Sequence, residues 1–447
     1  RRSHPLSMPL MPLLRRLPAA ALQLRFLQLP QAAPAVAASA RHQRQSLSTS
    51  ATTGPSAQPT SPAGLQATVD VDSRVLTLHG AAADDQAGVA TLNFPLAWLR
   101  DNCRCSLCHN SNSDSRQLLM NDFDPTAALT EATVEAGQLQ LLWADGHRGC
   151  YPLDWLRARH FTEDGQVPPD LRLSKSIPRL WRDWPFRPDF LDGQAVMSDD
   201  AALLELLQRL ELDGLVLLDN FGTDEDSLSR LCHRVAYPRR THYGVIFRVE
   251  SKPGPSNLAY TTGRLGFHTD LPYFEHQPDI QLLHCIRQTR TVPGGENSFA
   301  DGFSAAELLR DRRPEQFHLL ATALTNFRDR NSDDLDKFHL LQRHPVLELG
   351  RGGQVRRIHL SNQQRDSVLR LPLGRVQAYY EALKEFNDLL YDPGHSLQLR
   401  LKDGQLAVFE NGRVLHSRTA YQGERLFMGA YLSWDETLSR RRVLQGL

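Results

Sequence analysis

The sequence has few cysteines, no excess of charge of either sign and no long hydrophobic run. No stretch of 18 apolar residues occurs in its 447 residues, which excludes a membrane-spanning helix. Lysine plus arginine number 51, as do aspartate plus glutamate, and this balance argues against a general binder of nucleic acids. Six cysteines are too few for a disulfide framework. The composition is that of a globular protein of two or three domains.

The first part of the chain is basic. Seven arginines and no acidic residue precede Asp70, among many leucines, alanines and serines. This composition is typical of a mitochondrial transit peptide, so we predict that residues 1–66 are a transit peptide and linker and that the protein lies in the mitochondrial matrix. Prolines would interrupt a long amphipathic helix here. The alternative interpretation is a disordered leader on a cytoplasmic protein.

Two folded units are predicted after this leader. Short strand patterns between turn signals predict a first, β-rich unit over residues 67–165, and the proline-rich residues 166–195 predict an ordered connector. The second unit covers 196–447. Its helix patterns lie at 199–212, 224–236, 304–324 and 374–391, and its strand patterns lie at 214–219, 279–286, 405–410 and 425–434. The strand at 214–219 has no glycine-rich phosphate loop after it, which argues against a doubly wound sheet, but periodicity alone leaves the fold open.

A cluster of three cysteines in the first unit predicts a metal site. Cys103, Cys105 and Cys108 follow the C-x-C-x2-C pattern, and His147 lies on a turn after a predicted strand. Three thiolates and one imidazole form a closed tetrahedral set for structural zinc. The alternative is three unpaired buried thiols. Three further residues compete for the position of fourth ligand: His109, Cys150 and His160.

A second constellation predicts an iron site. His268 and Asp270 are two residues apart, so on a strand both side chains lie on one face. With the later His416 they form a 2-His-1-carboxylate set, which holds Fe(II) and leaves positions open for a cosubstrate and O2. Arg425 follows nine residues later, where a guanidinium can pair with the distal carboxylate of 2-oxoglutarate.

Four segments of the sequence resemble one family of enzymes. They are WLRDNC (98–103), YTTGRLGFHTD (260–270), QLLHC (281–285) and VLH (414–416). Over about residues 70 to 447 the chain is similar to the gamma-butyrobetaine and trimethyllysine dioxygenases, a taurine-dioxygenase-like family of Fe(II)/2-oxoglutarate oxygenases. The resemblance implies a small zinc-binding β-rich domain followed by a mainly β oxygenase domain, a double-stranded β-helix (jelly-roll) with surrounding helices. It also implies a homodimer.

The resemblance further implies roles for individual residues. The family's zinc ligands match Cys103, Cys105, Cys108 and His147, and its iron ligands match His268, Asp270 and His416. Its 2-oxoglutarate pocket matches Arg425 and Leu283, and nearby polar side chains make Asn297 and Ser298 further candidates. Its aromatic cage for a trimethylammonium group matches Tyr243, Phe247, Tyr260 and Tyr431. Asn257 matches a position that binds the substrate carboxylate.

The reaction implied by the resemblance is hydroxylation of gamma-butyrobetaine at C3 to L-carnitine, with O2 and 2-oxoglutarate as cosubstrates and ascorbate as reductant. A quaternary ammonium ion offers no hydrogen-bond donor, and ring faces hold it by roughly 0.5–2 kcal/mol per contact. Trimethyllysine or another betaine-like compound is the alternative substrate, and a mitochondrial address favours trimethyllysine.

Three positions depart from the pattern of the gamma-butyrobetaine enzymes. Leu271 stands where they have tyrosine, Ser361 where they have the first of two asparagines, and Phe247 where they usually have tryptophan. These changes concern the substrate and leave the iron set complete. That completeness argues against a non-catalytic descendant of the fold, and a zinc-dependent nucleic-acid binder has only the basic run 440–442 in its favour.

Overall fold

The computed structural model describes residues 65–80, 91–162, 165, 175–183, 186–255, 257–290, 292–333 and 336–447. Residues 1–64 of the predicted leader therefore lie outside the described residues. The same holds for 166–174 and 184–185 of the predicted connector. By their contacts, the described residues from 65 to 447 group into one compact unit. Within these described ranges no helix has the length and apolar character needed to cross a membrane.

The N-terminal part consists of small antiparallel sheets around their own core. Its elements are β1 (Gln66–Asp70), β2 (Val75–His79), β3 (Thr91–Pro95), α1 (Leu96–Asp101), β4 (His109–Asn110), β5 (Ser115–Arg116), β6 (Leu129–Glu135), β7 (Gln138–Trp143), β8 (Arg148–Pro152) and α2 (Leu153–Arg157). Strands β1-β2-β3 and β6-β7-β8 form three-stranded sheets, and β4-β5 is a hairpin. Alternate residues such as Leu139, Leu141 and Trp143 are buried, because successive side chains on a strand point to opposite faces.

The C-terminal part contains the remaining strands and most of the helical residues. Its first elements are β9 (Phe190–Asp192), α3 (Gly193–Ser198), α4 (Asp200–Asp213), β10 (Leu215–Asp219), α5 (Ser227–Val235), β11 (Ile246–Val249), β12 (Leu265–His268), β13 (Ile280–Arg287), β14 (Asn297–Asp301), α6 (Gly302–Arg312) and α7 (Pro314–Thr322). They are followed by β15 (Leu324–Asp333), β16 (Asp336–Pro345), β17 (Leu347–Leu349), β18 (Val355–Ile358), α8 (Leu373–Leu390), β19 (Ser396–Leu399), β20 (Leu406–Glu410), β21 (Val414–Arg418), β22 (Leu426–Leu432) and α9 (Trp434–Leu444).

Two sheets of this part enclose a common core. One has the strand order β11-β22-β13-β20-β10-β9 and the other the order β12-β21-β14-β19. All pairs are antiparallel except β9 with β10. Side chains from both sheets meet in one cluster, in which the rings of Phe299 and Phe409 lie 5.3 Å apart. Leu282 on the opposite face of β13 packs toward α4 and α5 instead.

The predicted mainly β architecture with surrounding helices is confirmed. The hydrogen-bonded ladders of the described strands form two open sheets and do not close into a single barrel. Both sheets end in edge strands of only three or four residues, namely β9, β11, β12 and β19. Such short strands leave few ladder groups through which one sheet could continue into the other.

Local sequence signals explain most of these elements. The Asp199 side chain caps α4 by accepting from the amides of Ala201 and Ala202, and the helix ends at Gly214, whose φ is +78°. The four strand patterns of the second unit correspond to β10, β13, β20 and β22. The prediction of a single helix over 304–324 is wrong in one respect. The segment forms two helices, α6 and α7, because Pro314 lacks an amide donor and starts a new helix.

Candidate active site

Two strands of the four-stranded sheet bring the predicted iron ligands together. His268 ends β12 and pairs across the ladder with His416 of β21, and their rings lie 4.2 Å apart. Asp270 follows β12 by two residues, and its Oδ1 lies 3.3 Å from His268 Nε2 and 3.8 Å from His416 Nε2. Because these three donor atoms converge on one point, the set could hold a metal ion on one face.

Hydrogen bonds fix the orientation of these side chains. His268 Nδ1 lies 2.9 Å from the Gly266 carbonyl and donates to it, which leaves Nε2 free for a metal. Asp270 Oδ2 accepts from Gln281 Nε2 at 2.6 Å and from the Tyr431 hydroxyl at 2.7 Å, so Oδ1 remains on the side of the histidines. Asn411 Oδ1 accepts a hydrogen bond from the Asp270 amide, and Asn411 Nδ2 donates one to the Asp270 carbonyl.

Burial and mutual charge set the protonation of the cluster. Burial and the neighbouring His268 lower the pKa of His416 to about 3, so its imidazole is neutral and one ring nitrogen has a lone pair available for a metal. Burial alone would raise the pKa of Asp270, but His416, His268 and the Tyr431 hydroxyl together hold it below its usual value. A neutral imidazole and an ionised carboxylate are the protonation states that a metal requires.

Arg425 lies in the same pocket, just before β22. Its guanidinium is buried and stands 3.7 Å from the ring centre of Phe427. Burial and the nearby Arg418 lower the pKa of Arg425 to about 9. Among the described residues no carboxylate forms an ion pair with it, and its buried Nε has no hydrogen-bond partner. A buried guanidinium without a counter-charge is costly, so the pocket is suited to an anion.

The predicted aromatic residues line the pocket beside the three metal-ligand candidates. The pocket encloses about 770 Å³, part of it open to solvent. The Phe247 and Tyr431 rings stack with centroids 5.1 Å apart, and the Tyr243 ring lies 6.3 Å from Phe247 and also from Tyr260. Leu283 on β13 lines the same space. The structure thus brings together all four predicted cage residues.

Gly429 permits the closest of these contacts. It pairs with Phe247 across β11 and β22, and a Cβ atom at residue 429 would lie 2.1 Å from the Phe247 ring. Only a residue without a side chain fits there, so Gly429 lets Phe247 reach the ring of Tyr431.

Asn257 lies beside the cage. Its Nδ2 donates to the Tyr243 hydroxyl at 3.0 Å, and its Oδ1 accepts from the Ala259 amide. A contact with the substrate carboxylate stays a prediction for this residue.

The departures from the family pattern also line or border the pocket. Leu271 is buried there in the left-handed region, with φ of +59°, which is unusual for a residue with a branched side chain. Ser361 is buried and donates to Gln364 Oε1, whereas Asn362 is exposed and accepts from Arg365. Gln363 and Gln364, rather than Ser361 or Asn362, form the wall of the pocket at this point.

The predicted zinc ligands also converge. The sulfurs of Cys103, Cys105 and Cys108 lie 3.2, 3.7 and 3.6 Å from His147 Nε2. Ligands of a tetrahedral zinc are about 3.5 Å from one another, given bond lengths of about 2.0–2.3 Å. The competing residues are engaged elsewhere: His109 with Asp114, Cys150 with Gln138, and His160 with the Arg157 carbonyl. The set could therefore hold one zinc ion.

Several residues that position the site were not singled out in the sequence. Gln281 alternates with Leu283 on β13, and this period of two could have revealed it. Arg418 lies two residues after His416 on β21 and donates to the carbonyls of Ala259, Thr261 and Gly263, which fixes the loop that carries Tyr260. Asp329, whose carboxylate contacts Tyr243, has no local sequence signal.

Comparison with known proteins agrees with this geometry. The model of the taurine catabolism dioxygenase TauD, TfdA family matches residues 182–431, and that of the gamma-butyrobetaine hydroxylase-like N-terminal domain matches residues 74–157. Gamma-butyrobetaine dioxygenase of Homo sapiens is 34% identical over 79% of this chain and 91% of its own length. The enzyme of the same name from Pseudomonas sp. (strain AK-1) is 36% identical over 79% and 90%. Mitochondrial trimethyllysine dioxygenase of Gallus gallus is 30% identical over 82% and 87%.

The family models together span most of the described chain, and the relatives are matched over nearly their whole length. The chain therefore belongs to the TauD, TfdA family of Fe(II)- and 2-oxoglutarate-dependent dioxygenases, within the group of gamma-butyrobetaine and trimethyllysine dioxygenases.

Proposed function

We propose that the protein hydroxylates gamma-butyrobetaine at C3 to give L-carnitine. The observation that carries this proposal is the position of Tyr431. Its hydroxyl donates to Asp270 of the candidate iron site, and its ring stacks on Phe247 of the aromatic cage. A trimethylammonium group held by the cage is thereby kept at a fixed position relative to the reacting centre, and such positioning supplies much of the catalysis.

In this proposal His268, Asp270 and His416 hold Fe(II), and Arg425 binds the distal carboxylate of 2-oxoglutarate beside Leu283. The fit is supported by a donor set of two imidazoles and one carboxylate and by the buried cation without a described counter-charge. When bound, the iron activates O2 for the coupled oxidation of 2-oxoglutarate and the substrate. Ascorbate serves as the reductant that keeps the iron ferrous.

The chain's own residues bind and orient the substrate. The faces of Tyr243, Phe247, Tyr260 and Tyr431 hold the quaternary ammonium group. The amides of Asn257, Gln363 and Gln364 reach the same pocket and can donate to the substrate carboxylate. Two anchored ends fix which C–H bond faces the reacting centre.

The charges of the pocket favour gamma-butyrobetaine over trimethyllysine. Trimethyllysine carries an α-ammonium group that requires an acceptor, preferably a carboxylate. Among the described residues that line the pocket, Asp270 is the one acidic side chain, and it is directed to the metal-ligand candidates. Leu271 adds an apolar surface in place of a polar group. A betaine carries no α-ammonium group, so its carboxylate can use the amide donors and its quaternary ammonium group the ring faces.

The remaining assignments concern the rest of the chain. We place a structural zinc on Cys103, Cys105, Cys108 and His147, in a domain over residues 67–165 that precedes the dioxygenase domain over 196–447. The basic leader and the mitochondrial relatives support a mitochondrial location. A homodimer stays a prediction.

Succinate formation tests the proposal. The full chain is supplied with Fe(II), ascorbate and 2-oxoglutarate, and with gamma-butyrobetaine, trimethyllysine or no substrate. We expect carnitine to appear in step with succinate when gamma-butyrobetaine is present. Stimulation by trimethyllysine alone would instead assign the protein to the trimethyllysine dioxygenases. Slow succinate formation that neither compound stimulates would support the oxygenase activity but refute both substrate assignments.

A further inference from the structure

A buried carboxylate lies behind the aromatic cage. Asp329 is on β15, outside the four short segments on which the family resemblance rests, and its side chain is 12% exposed. The Tyr243 hydroxyl donates to Asp329 Oδ2 at 3.1 Å. A single phenol therefore separates this carboxylate from the space in which the cage rings converge.

The hydrogen bonds around Tyr243 hold its hydroxyl toward Asp329. Asn257 Nδ2 donates to the Tyr243 oxygen at 3.0 Å, and Asn257 is itself held by the Ala259 amide. An amide nitrogen can only donate, so the hydroxyl hydrogen of Tyr243 is free to point to the carboxylate. Tyr273 lies 3.3 Å away on the same oxygen, and burial with Asp329 nearby raises the pKa of Tyr243, which keeps the phenol neutral.

Other charges near the cage do not replace Asp329. Asp270 accepts from Tyr431, but it faces the two histidines of the candidate iron site. Lys252 lies 4.5 Å from the centre of the Tyr260 ring and adds a positive charge on that side. His242 Nε2 is 3.7 Å from Asp329. Among the described residues, Asp270 and Asp329 accept from hydroxyls of the cage, and Asp329 is the one without a metal-ligand role.

We propose that Asp329 is the counter-charge of the trimethylammonium subsite and makes it select a cation over a neutral group of the same shape. The proposal rests on the function proposed above. A carboxylate in a partly buried site attracts a cation several ångströms away more strongly than it would in water. By accepting from Tyr243 it also increases the negative potential of that ring, to which the cation is attracted.

The test compares two ligands that differ in charge but hardly in shape. Gamma-butyrobetaine is compared with 5,5-dimethylhexanoate, in which a carbon replaces the quaternary nitrogen. The dissociation constants of both are measured for the full chain with Fe(II) and 2-oxoglutarate under anaerobic conditions. We expect the wild-type protein to bind the betaine more tightly, by about tenfold or more, than this analogue, whose tert-butyl group is uncharged.

Asp329→Asn keeps the size and the hydrogen-bond acceptor but removes the charge. We expect it to weaken the binding of gamma-butyrobetaine about tenfold and to leave the binding of 5,5-dimethylhexanoate nearly unchanged. Asp329→Glu should restore most of the preference. Asp366→Asn is the matched control, because Asp366 is another carboxylate with a mostly buried side chain, lies near Arg328 of the β15-β16 hairpin and does not contact the cage. It should keep the wild-type ratio.

The outcomes separate the two proposals. An unchanged ratio in Asp329→Asn, or an equal loss for both ligands, overturns the role of Asp329 and leaves the proposed function intact. If that variant does not fold, equal binding of the two ligands by the wild-type protein still overturns the role. Binding of neither ligand by the wild-type protein refutes the proposed function and this inference with it.

Discussion

The Tyr431 hydroxyl donates to Asp270 Oδ2 at 2.7 Å, while Asp270 Oδ1 faces the two histidines. The same tyrosine stacks on Phe247. One side chain thus orients a candidate metal ligand and forms a wall of the substrate cage. The effects of substituting Tyr431 can therefore be separated: loss of the ring affects substrate binding, and loss of the hydroxyl affects metal binding.

Tyr431→Phe should weaken Fe(II) binding about tenfold, because hydrogen-bonded partners of metal ligands contribute that much to affinity. The ring remains, so the KM for gamma-butyrobetaine should change less than threefold. The measurement is an anaerobic Fe(II) titration together with steady-state kinetics.

Tyr273→Phe is the control for this titration. It removes a hydroxyl that contacts Tyr243 and His242 but not Asp270. Iron affinity should be unchanged, and a similar loss in both variants would contradict the assigned role of the Tyr431 hydroxyl.

Short-range spacing in the sequence predicts which metal-ligand candidates lie close together when they belong to one short segment. His268 and Asp270 are two residues apart, and Cys103, Cys105 and Cys108 lie within six, so local backbone geometry brings these donors together. Strand patterns over 214–219 and 279–286 likewise correspond to β10 and β13. Here local spacing determines the three-dimensional arrangement.

Residues whose role depends on cross-strand register or on distant contacts carry no such local signal. Gly429 matters because β11 pairs with β22 and places Phe247 opposite it. Asp329 matters because its hairpin brings it to Tyr243, which is 86 positions away in the chain. No local pattern encodes either contact, and both require the folded sheet or loop to be known.

Arg425→Met should raise the KM for 2-oxoglutarate about 100-fold or more, since truncating one partner of a buried charge pair costs about 2–5 kcal/mol. Without ligand the variant should melt no lower than the wild type, because a buried charge with no described counter-charge is lost. 2-Oxoglutarate should raise the melting temperature of the wild type only.

Arg264→Met provides the comparison, since this arginine is exposed and lies 5.5 Å from the Tyr391 ring. It should respond to 2-oxoglutarate as the wild type does. A full thermal shift in Arg425→Met would exclude Arg425 as the carboxylate partner.

Cys105→Ser should lower the zinc content and the melting temperature together, because structural zinc contributes directly to the free energy of folding. Cys150→Ser is the matched control: its sulfur donates to Gln138 and lies outside the cluster. Zinc per chain is measured by mass spectrometry after dialysis. Full zinc in Cys105→Ser, or an equal loss in Cys150→Ser, would contradict the predicted site.

Gly429→Ala should damage the cage without touching the metal site. The added Cβ would lie 2.1 Å from the Phe247 ring, so the ring must leave its place against Tyr431. Loss of one or two ring contacts, at roughly 0.5–2 kcal/mol each, predicts a rise of about tenfold in the KM for gamma-butyrobetaine. The KM for 2-oxoglutarate should change less, because the three atoms nearest to the new Cβ all belong to Phe247, whereas Leu283 is the cross-strand partner of residue 429 on β13. Gly374→Ala, at a position with no atom within 4 Å of the new Cβ, should leave both constants unchanged. If Gly429→Ala raises both KM values equally, the disturbance has spread through β22 to the whole pocket and the cage is not a separate subsite.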